Sequence, residues 1–304
     1  MLTQKDISGY DIFGEPIRNK RLLRDDFIEP PFSVLDTKGA NWTNRRNKWK
    51  RLGIRSEIGR GAVAIHAGTD DYRAIKNKVG YDNRDNYVSI FDPVLCELMY
   101  KWFCDQGGKI LDPFAGGSVR GIVAGYLGYQ YTGIDLREEQ VKSNILQAEE
   151  ILTESGDMKP CWICGDSNAV LDGIREDFFD LMFTCPPYAN LEVYSNLKED
   201  LSNMDYQHFE EAYSSILKKS ASKIRRGGFA AIVVGEIRRK DDKDGAYLGL
   251  VPMTIQHCIN AGLKFYNEAV LLNPVASASM RAAGNMRTKK LVKIHQNVLV
   301  FKKA

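Results

Sequence analysis

Two short runs carry the residue types that could do chemistry. The first is Asp112-Pro113-Phe114-Ala115-Gly116-Gly117-Ser118, an acid followed by a glycine turn that leads into a helix-like segment. Glycines there let a ligand approach the backbone closely, and a helix N-terminus behind them offers N–H groups. The second is Phe183-Thr184-Cys185-Pro186-Pro187-Tyr188. Consecutive prolines cannot donate ladder hydrogen bonds and fix their own φ, so the chain must leave its strand in a stiff turn. That turn presents carbonyl oxygens and one aromatic, Tyr188. Two more acids, Asp135 (before Leu136) and Asp166 (before Ser167), follow apolar runs. Asp135 stands 23 residues past Asp112, near the offset of roughly 20 at which an acid takes ribose hydroxyls in dinucleotide folds. The turn is not G-x-G-x-x-G, and an acid at its mouth argues against phosphate. The set suits a ligand with a positive centre and a ribose, such as S-adenosylmethionine, with Asp166 placed to accept from an adenine amino group.

These residues need a frame. Asp92 as N-cap and Pro93 at the first helical position open a helix with Val94, Leu95, Leu98, Met99, Trp102 and Phe103 on one stripe. Strands are expected over 109–112, 129–134, 161–164 and 178–183, then 229–234, 265–272 and 297–301. Helices are expected through 119–127, 141–152, 209–224 and 251–261, with none between the last two strands. Cys161-Trp162-Ile163-Cys164 has zinc-like spacing but no second pair, so it reads as a core strand and no metal site is expected. The alternation predicts an α/β fold: a mostly parallel sheet, helices on both faces, and an antiparallel C-terminal strand pair. Ligands bind at the carboxyl ends of strands in such sheets, where positions 112, 135, 166 and 188 would gather. Residues 1–88 show no such alternation. They read as an irregular N-terminal segment with one basic helix ending at Gly53 and loops at Arg60-Gly61 and Asp82-Asn83, leaving 89–304 as the main domain.

Composition excludes several classes. The chain of 304 residues is 44% apolar and 27% charged, with no run near the roughly 20 apolar residues of a membrane span. The first residues lack a secretory h-region, and six scattered cysteines read as reduced cytosolic thiols. Net charge is only +3, but its distribution is uneven. Residues 38–60 hold eight basic residues against one acid, and 280–304 hold seven against none. Two basic blocks on an otherwise acidic chain suggest a polyanion, and Trp42 and Trp49 within the first favour nucleic acid, on which aromatics stack.

The two motifs resemble the cofactor and catalytic motifs of DNA amino-methyltransferases, which move a methyl group from S-adenosylmethionine to N6 of adenine or N4 of cytosine. Phe91-Asp92-Pro93 resembles the segment that precedes their cofactor loop. The stretches 42–61, Leu191-Glu192-Val193-Tyr194-Ser195 and His295-Gln296-Asn297-Val298-Leu299 further resemble a phage- and prophage-encoded group of these enzymes. The motif match runs over roughly 90–304. It implies a Rossmann-like methyltransferase sheet, with the cofactor held by Phe91, Asp92, Pro93, Asp112, Pro113, Phe114, Gly116, Gly117, Ser118, Asp135, Leu136, Asp166 and Ser167. Catalysis would fall to Cys185, Pro186, Pro187 and Tyr188: the base is flipped out and stacked on Tyr188 while the Pro186 carbonyl accepts amine protons. The partner implied is double-stranded DNA, with Arg45, Arg46, Lys48, Arg281, Arg287, Lys289 and Lys290 as contacts and 273–293 as a DNA-facing loop. Residues 190–203 would form a loop over the base. The setting implied is the cytoplasm of a bacterium or phage-infected cell; the oligomeric state stays open, a homodimer being compatible.

One position departs from the family. Cys185 stands where these enzymes carry Asp, Asn or Ser, and a thiol is a weak acceptor. Thr-Cys-Pro-Pro-Tyr is nearest to the Thr-Ser-Pro-Pro-Tyr form, which favours cytosine N4 over adenine N6. The thiol also opens a covalent route to cytosine C5, although DNA enzymes of that kind carry their cysteine after the two prolines. An RNA base methyltransferase, or a non-catalytic DNA-binding module on a methyltransferase fold, would also be compatible with these motifs. Glu236, after the fifth strand, is expected to face the pocket or to pair with Arg238 or Arg239.

Overall fold

The computed structural model describes residues 7–10, 16–18, 23–55, 91–154, 156–189, 195–239, 241–273 and 278–304. The chain divides into two compact units, Met1–Phe32 and Ser33–Ala304. The first holds an antiparallel pair, β1 (Ile7–Tyr10) and β2 (Pro16–Arg18), and helix α1 (Leu23–Phe27). In the second unit, β3 (Val34–Asp36) and α2 (Ala40–Arg51) come first. Next are α3 (Pro93–Phe103), β4 (Lys109–Asp112), α4 (Val119–Tyr126), β5 (Gln130–Asp135), α5 (Glu138–Ile151) and β6 (Cys161–Cys164). After the short α6 (Ser167–Val170) follow β7 (Phe179–Thr184), α7 (Tyr206–Lys223), β8 (Ile224–Val234), α8 (Leu250–Asn260) and β9 (Leu263–Leu272). The chain closes with α9 (Ala278–Arg287) and β10 (His295–Lys303).

Eight strands form one sheet in the order β3-β9-β10-β8-β7-β4-β5-β6. Every pairing is parallel except those of β10, which runs antiparallel to both β8 and β9. From β4 the chain winds outward to β6, then returns to β7 on the other side of β4 and winds the opposite way. Right-handed crossovers in two directions put helices on both faces, and the reversal leaves a crevice beyond the carboxyl ends of β4 and β7. The expected mostly parallel α/β sheet with an antiparallel C-terminal pair is what forms.

Local chemistry explains the elements around that crevice. Asp92 caps α3 by accepting from the Val94 amide at 2.9 Å, and Pro93 supplies the first helical residue. In α4, a Cβ on Gly121 would stand 2.3 Å from the Trp162 ring of β6, so only glycine lets this helix approach the sheet. The core runs through Leu111, Ile134, Met182, Phe209, Tyr213, Ile232 and Leu299, so both faces of the central strands are covered. Asp180 interrupts β7 without disturbing it: its carboxylate accepts from Arg225 Nε at 2.5 Å and the Lys109 amide at 2.7 Å.

Three expectations change. Residues 33–55 belong to the main unit, because β3 pairs with β9 at the sheet edge and α2 lies against α3, so the chain does not divide at 88. The expected loops at 60–61 and 82–83 lie outside the described residues. Cys161 and Cys164 are exposed and only Trp162 between them is buried, as an edge strand dictates; the pair is not core. Finally, α9 occupies the expected loop between the last two strands. Among the described residues all six cysteines are free, no cluster could hold a metal, and no helix is long and apolar enough to cross a membrane.

Candidate active site

Beyond the carboxyl ends of β4, β5 and β7 lies a cavity of about 770 Å³, within the range of small-molecule and cofactor sites. All four residues of the Cys185–Tyr188 turn line it, and so do all the expected cofactor residues except Asp112 and Ser118.

On one side the Pro113–Gly117 turn passes beneath Asp135. The Asp135 carboxylate accepts from the Gly116 amide at 2.9 Å and from the Arg137 amide at 2.9 Å. Gly116 has a φ of 53°, in the left-handed region that favours glycine, and its carbonyl accepts from Asn144 of α5 at 2.8 Å. Two backbone donors thus hold one carboxylate over the turn, in the pose in which it could accept from vicinal hydroxyls. Asp166 accepts from the Asn168 amide at 3.0 Å, and Ser167 donates to the Pro113 carbonyl at 2.5 Å, tying the exit of β6 to the turn.

Asp112 behaves differently from its expected role. It is fully buried and faces away from the cavity, accepting from Arg120 Nε at 2.5 Å, Tyr131 at 2.7 Å, Thr184 Oγ1 at 2.6 Å and the Phe114 amide at 3.2 Å. A carboxylate so committed cannot meet a positively charged ligand, and it is not an acid at the mouth of the site, so it no longer argues against phosphate. Its partner is a residue the sequence reading missed. Arg120 donates to the Phe114 and Ala115 carbonyls at 2.6 and 2.8 Å, and its guanidinium lies 4.5 Å from the centre of the Phe91 ring. Burial alone would lower the Arg120 pKa, but the Asp112 carboxylate more than offsets this and holds it above its usual value. Burial, reinforced by the same carboxylate, keeps the Tyr131 phenol well above its ordinary range, so it donates. An arginine in the first turn of an apolar helix was the available signal, since a charge there must find a partner. The network joins the cofactor-side turn to Thr184, one residue before Cys185. Ser118 also turns inward, donating to Gln147 at 2.6 Å.

On the other side the turn after β7 presents Pro186, Pro187 and Tyr188. Ala189, fully buried, follows at a φ of 43°, a conformation that costs an L-residue about 1–2 kcal/mol and is kept only where the surroundings impose it. The Tyr188 hydroxyl accepts from Gln296 Nε2 at 2.5 Å, and the Cys185 sulfur lies 3.9 Å from that hydroxyl. Gln296 and Asn273 line the same space; the sequence marked Gln296 only within the 295–299 stretch and Asn273 only as the start of the 273–293 loop. Phe114 reaches the cavity from the first turn and packs 6.0 Å from Tyr213.

Several expected contacts lie elsewhere. Trp42 and Trp49 are buried rather than offered for stacking, donating to Asp92 at 2.9 Å and to Glu97 at 3.0 Å. Arg46 pairs with Asp92 at 2.5 Å, and Arg45 forms a two-pronged pair with Glu97. Those two arginines are therefore spent on holding α2 to α3, although Arg46 still borders the cavity. Lys48, Arg281, Arg287 and Lys289 are exposed and Lys290 is half-buried. Glu236 neither faces the pocket nor pairs with an arginine; it accepts from the Gly249, Leu250 and Val251 amides at 3.1, 3.1 and 2.8 Å and so caps α8. The loop expected over the base is described only from Ser195. There Asp200 accepts from Ser195 at 2.8 Å and the Ser202 amide at 2.9 Å, and Glu199 and Leu201 border the cavity.

No family model and no curated protein sequence matches the chain. Solved structures do. TrmN from Thermus thermophilus is 15% identical over 70% of this chain and 49% of its own, with a TM-score of 0.47. The [4+2]-cyclase SpnF is 15% identical over 90% of this chain and 99% of its own, at 0.49. A second Thermus thermophilus protein, provisionally named a DNA modification methylase and crystallised with S-adenosyl-L-methionine, is 19% identical over 45% of this chain and 51% of its own, at 0.32. This chain spans about half the length of the first and last of these. None of the three decides what the chain does.

Proposed function

We propose that this chain transfers a methyl group from S-adenosylmethionine to the exocyclic amine of a base in double-stranded DNA, with cytosine N4 favoured over adenine N6. One observation carries the reading: a single cavity joins the glycine turn, Asp135 and Asp166 to the Pro186-Pro187-Tyr188 corner. The cofactor side fits the group on its donors and acceptors. Asp135 is held by two amides and borders the cavity, matched to ribose hydroxyls; Asp166 and the Gly116–Gly117 backbone that lines the cavity suit an adenine and its linker. When bound, the cofactor supplies an electrophilic methyl group on a sulfonium.

The chain's own residues then have little proton transfer to do. An aromatic exocyclic amine is a poor nucleophile because its lone pair is delocalised into the ring. The Pro186 carbonyl, fixed by two prolines, would accept a hydrogen bond from the amine and favour a pyramidal nitrogen, which is positioning and electrostatics acting together, and the proton that the methylated nitrogen sheds would pass to solvent. Tyr188 would stack on the base that has left the duplex. The cysteine does not break this scheme, since the carbonyl rather than the thiol is the acceptor, and its sulfur lies beside the Tyr188 hydroxyl. Charge for the flanking duplex would come from Arg281, Arg287, Lys289 and Lys290. Phage origin and a link to restriction–modification belong to the same reading and rest on the motif resemblance.

Titration calorimetry tests the first half. S-adenosylmethionine should bind the purified protein, and Asp135→Ala should weaken binding by about tenfold or more, the loss expected for charge-assisted hydrogen bonds. Wild-type protein that shows no heat of binding with this ligand would remove the basis of the reading.

A further inference from the structure

Tyr188 is held at both ends, and the second hold comes from the sheet. Its backbone is set by the two prolines before it and by left-handed Ala189 after it. Its hydroxyl is set by Gln296, whose own Oε1 accepts from Asn273 Nδ2 at 2.9 Å. These two amides sit on paired strands, Gln296 opposite Leu271 in the β9–β10 register and Asn273 just past the end of β9. The Asn273 backbone N–H donates to the Ile294 carbonyl at 2.8 Å, and the Thr37 hydroxyl lies 2.7 Å from the Leu272 carbonyl and 3.2 Å from Asn273 Oδ1. A chain of polar contacts thus runs from the β3 edge across β9 and β10 to the phenol, and Thr37, Asn273, Gln296 and Tyr188 all border the cavity.

From this geometry we infer that Gln296, braced by Asn273, is a positioning residue that fixes where the Tyr188 side chain points before the acceptor base arrives. The inference rests on the function proposed above and deepens it. The half-buried Tyr188 ring packs against the core, and a hold on its hydroxyl adds a fixed point at the far end of the side chain before a base binds. Immobilising such a side chain in advance is worth about tenfold in binding or rate.

A double-mutant cycle separates this role from simple packing. Gln296→Met keeps the volume and removes the donor; Tyr188→Phe keeps the ring and removes its hydroxyl. Each should lower methyl transfer to duplex DNA by about tenfold, and the double variant should lose about tenfold rather than a hundredfold, since one contact is removed once. The Kd for S-adenosylmethionine should stay at its wild-type value in all three. Gln296→Glu, which can accept from the phenol and from Asn273, should restore transfer to within about threefold of wild type. Losses that multiply to about a hundredfold, or a Gln296→Met variant that transfers at the wild-type rate, would overturn the positioning role while leaving the function standing. Wild-type protein that binds the cofactor but methylates no DNA would remove both.

Discussion

The two basic segments of this chain look alike in sequence and meet different fates in the fold. In the segment around α2, Arg45, Arg46 and the two tryptophans turn toward α3, while Lys38, Lys48, Lys50, Arg51 and Arg55 stay exposed. Arg45 and Arg46 find Glu97 and Asp92 on α3, while Trp42 and Trp49 donate to the same two carboxylates and are buried, Trp49 packing edge-on to Tyr126. The segment at α9 has no acid and no buried residue; Arg281, Arg287 and Lys289 stand exposed beside two exposed methionines, Met280 and Met286. Basic charge in a sequence therefore has two readings that composition cannot separate. Where acids lie in a neighbouring helix it is glue, and where none do it stays on the surface, where a polyanion could meet it.

The contrast can be broken from either side. The largest effect belongs to Glu97→Ala, which strips Arg45 and the buried Trp49 indole of their shared acceptor. It should lower the unfolding free energy by about 2–3 kcal/mol in urea titrations. Equal stability in the variant would mean that α2 is not held by its charges. Next comes the triple replacement of Arg281, Arg287 and Lys289 by alanine. It should leave the melting temperature unchanged but weaken duplex DNA binding about tenfold at physiological salt. It should also make the slope of log K against log salt shallower by about 2 to 3, near 0.9 per lost phosphate contact. An unchanged salt slope would remove α9 from the contact surface. Smallest is Cys185→Ser, which should transfer methyl groups within about threefold of wild type, because in the proposed reaction the amine contact falls to the Pro186 carbonyl. A collapse of activity in that variant would favour the thiol as nucleophile.

What the sequence disclosed follows from what patterns can encode. Strand ends were legible because apolar runs stop at Asp112, Asp135 and Pro186, and alternation with helices then forces those ends into one crevice. Side-chain direction was not. The β4 strand is covered on both faces, so no polar alternation tells which way Asp112 points, and only the fold shows it turned to Arg120 and Tyr131. The same limit hid Gln296, an ordinary polar residue at the start of β10 until Tyr188 is placed beside it. Helix α9 escaped because its run of alanine, serine, glycine and arginine has no apolar stripe to reveal a 3.6-residue period.

Nucleoside mass spectrometry of duplex DNA incubated with the protein and methyl-deuterated S-adenosylmethionine tests the central claim most directly. The account predicts labelled methyl on an exocyclic amine, cytosine N4 ahead of adenine N6, and no protein–DNA adduct. Label at cytosine C5, accompanied by a covalent complex through Cys185, would contradict it.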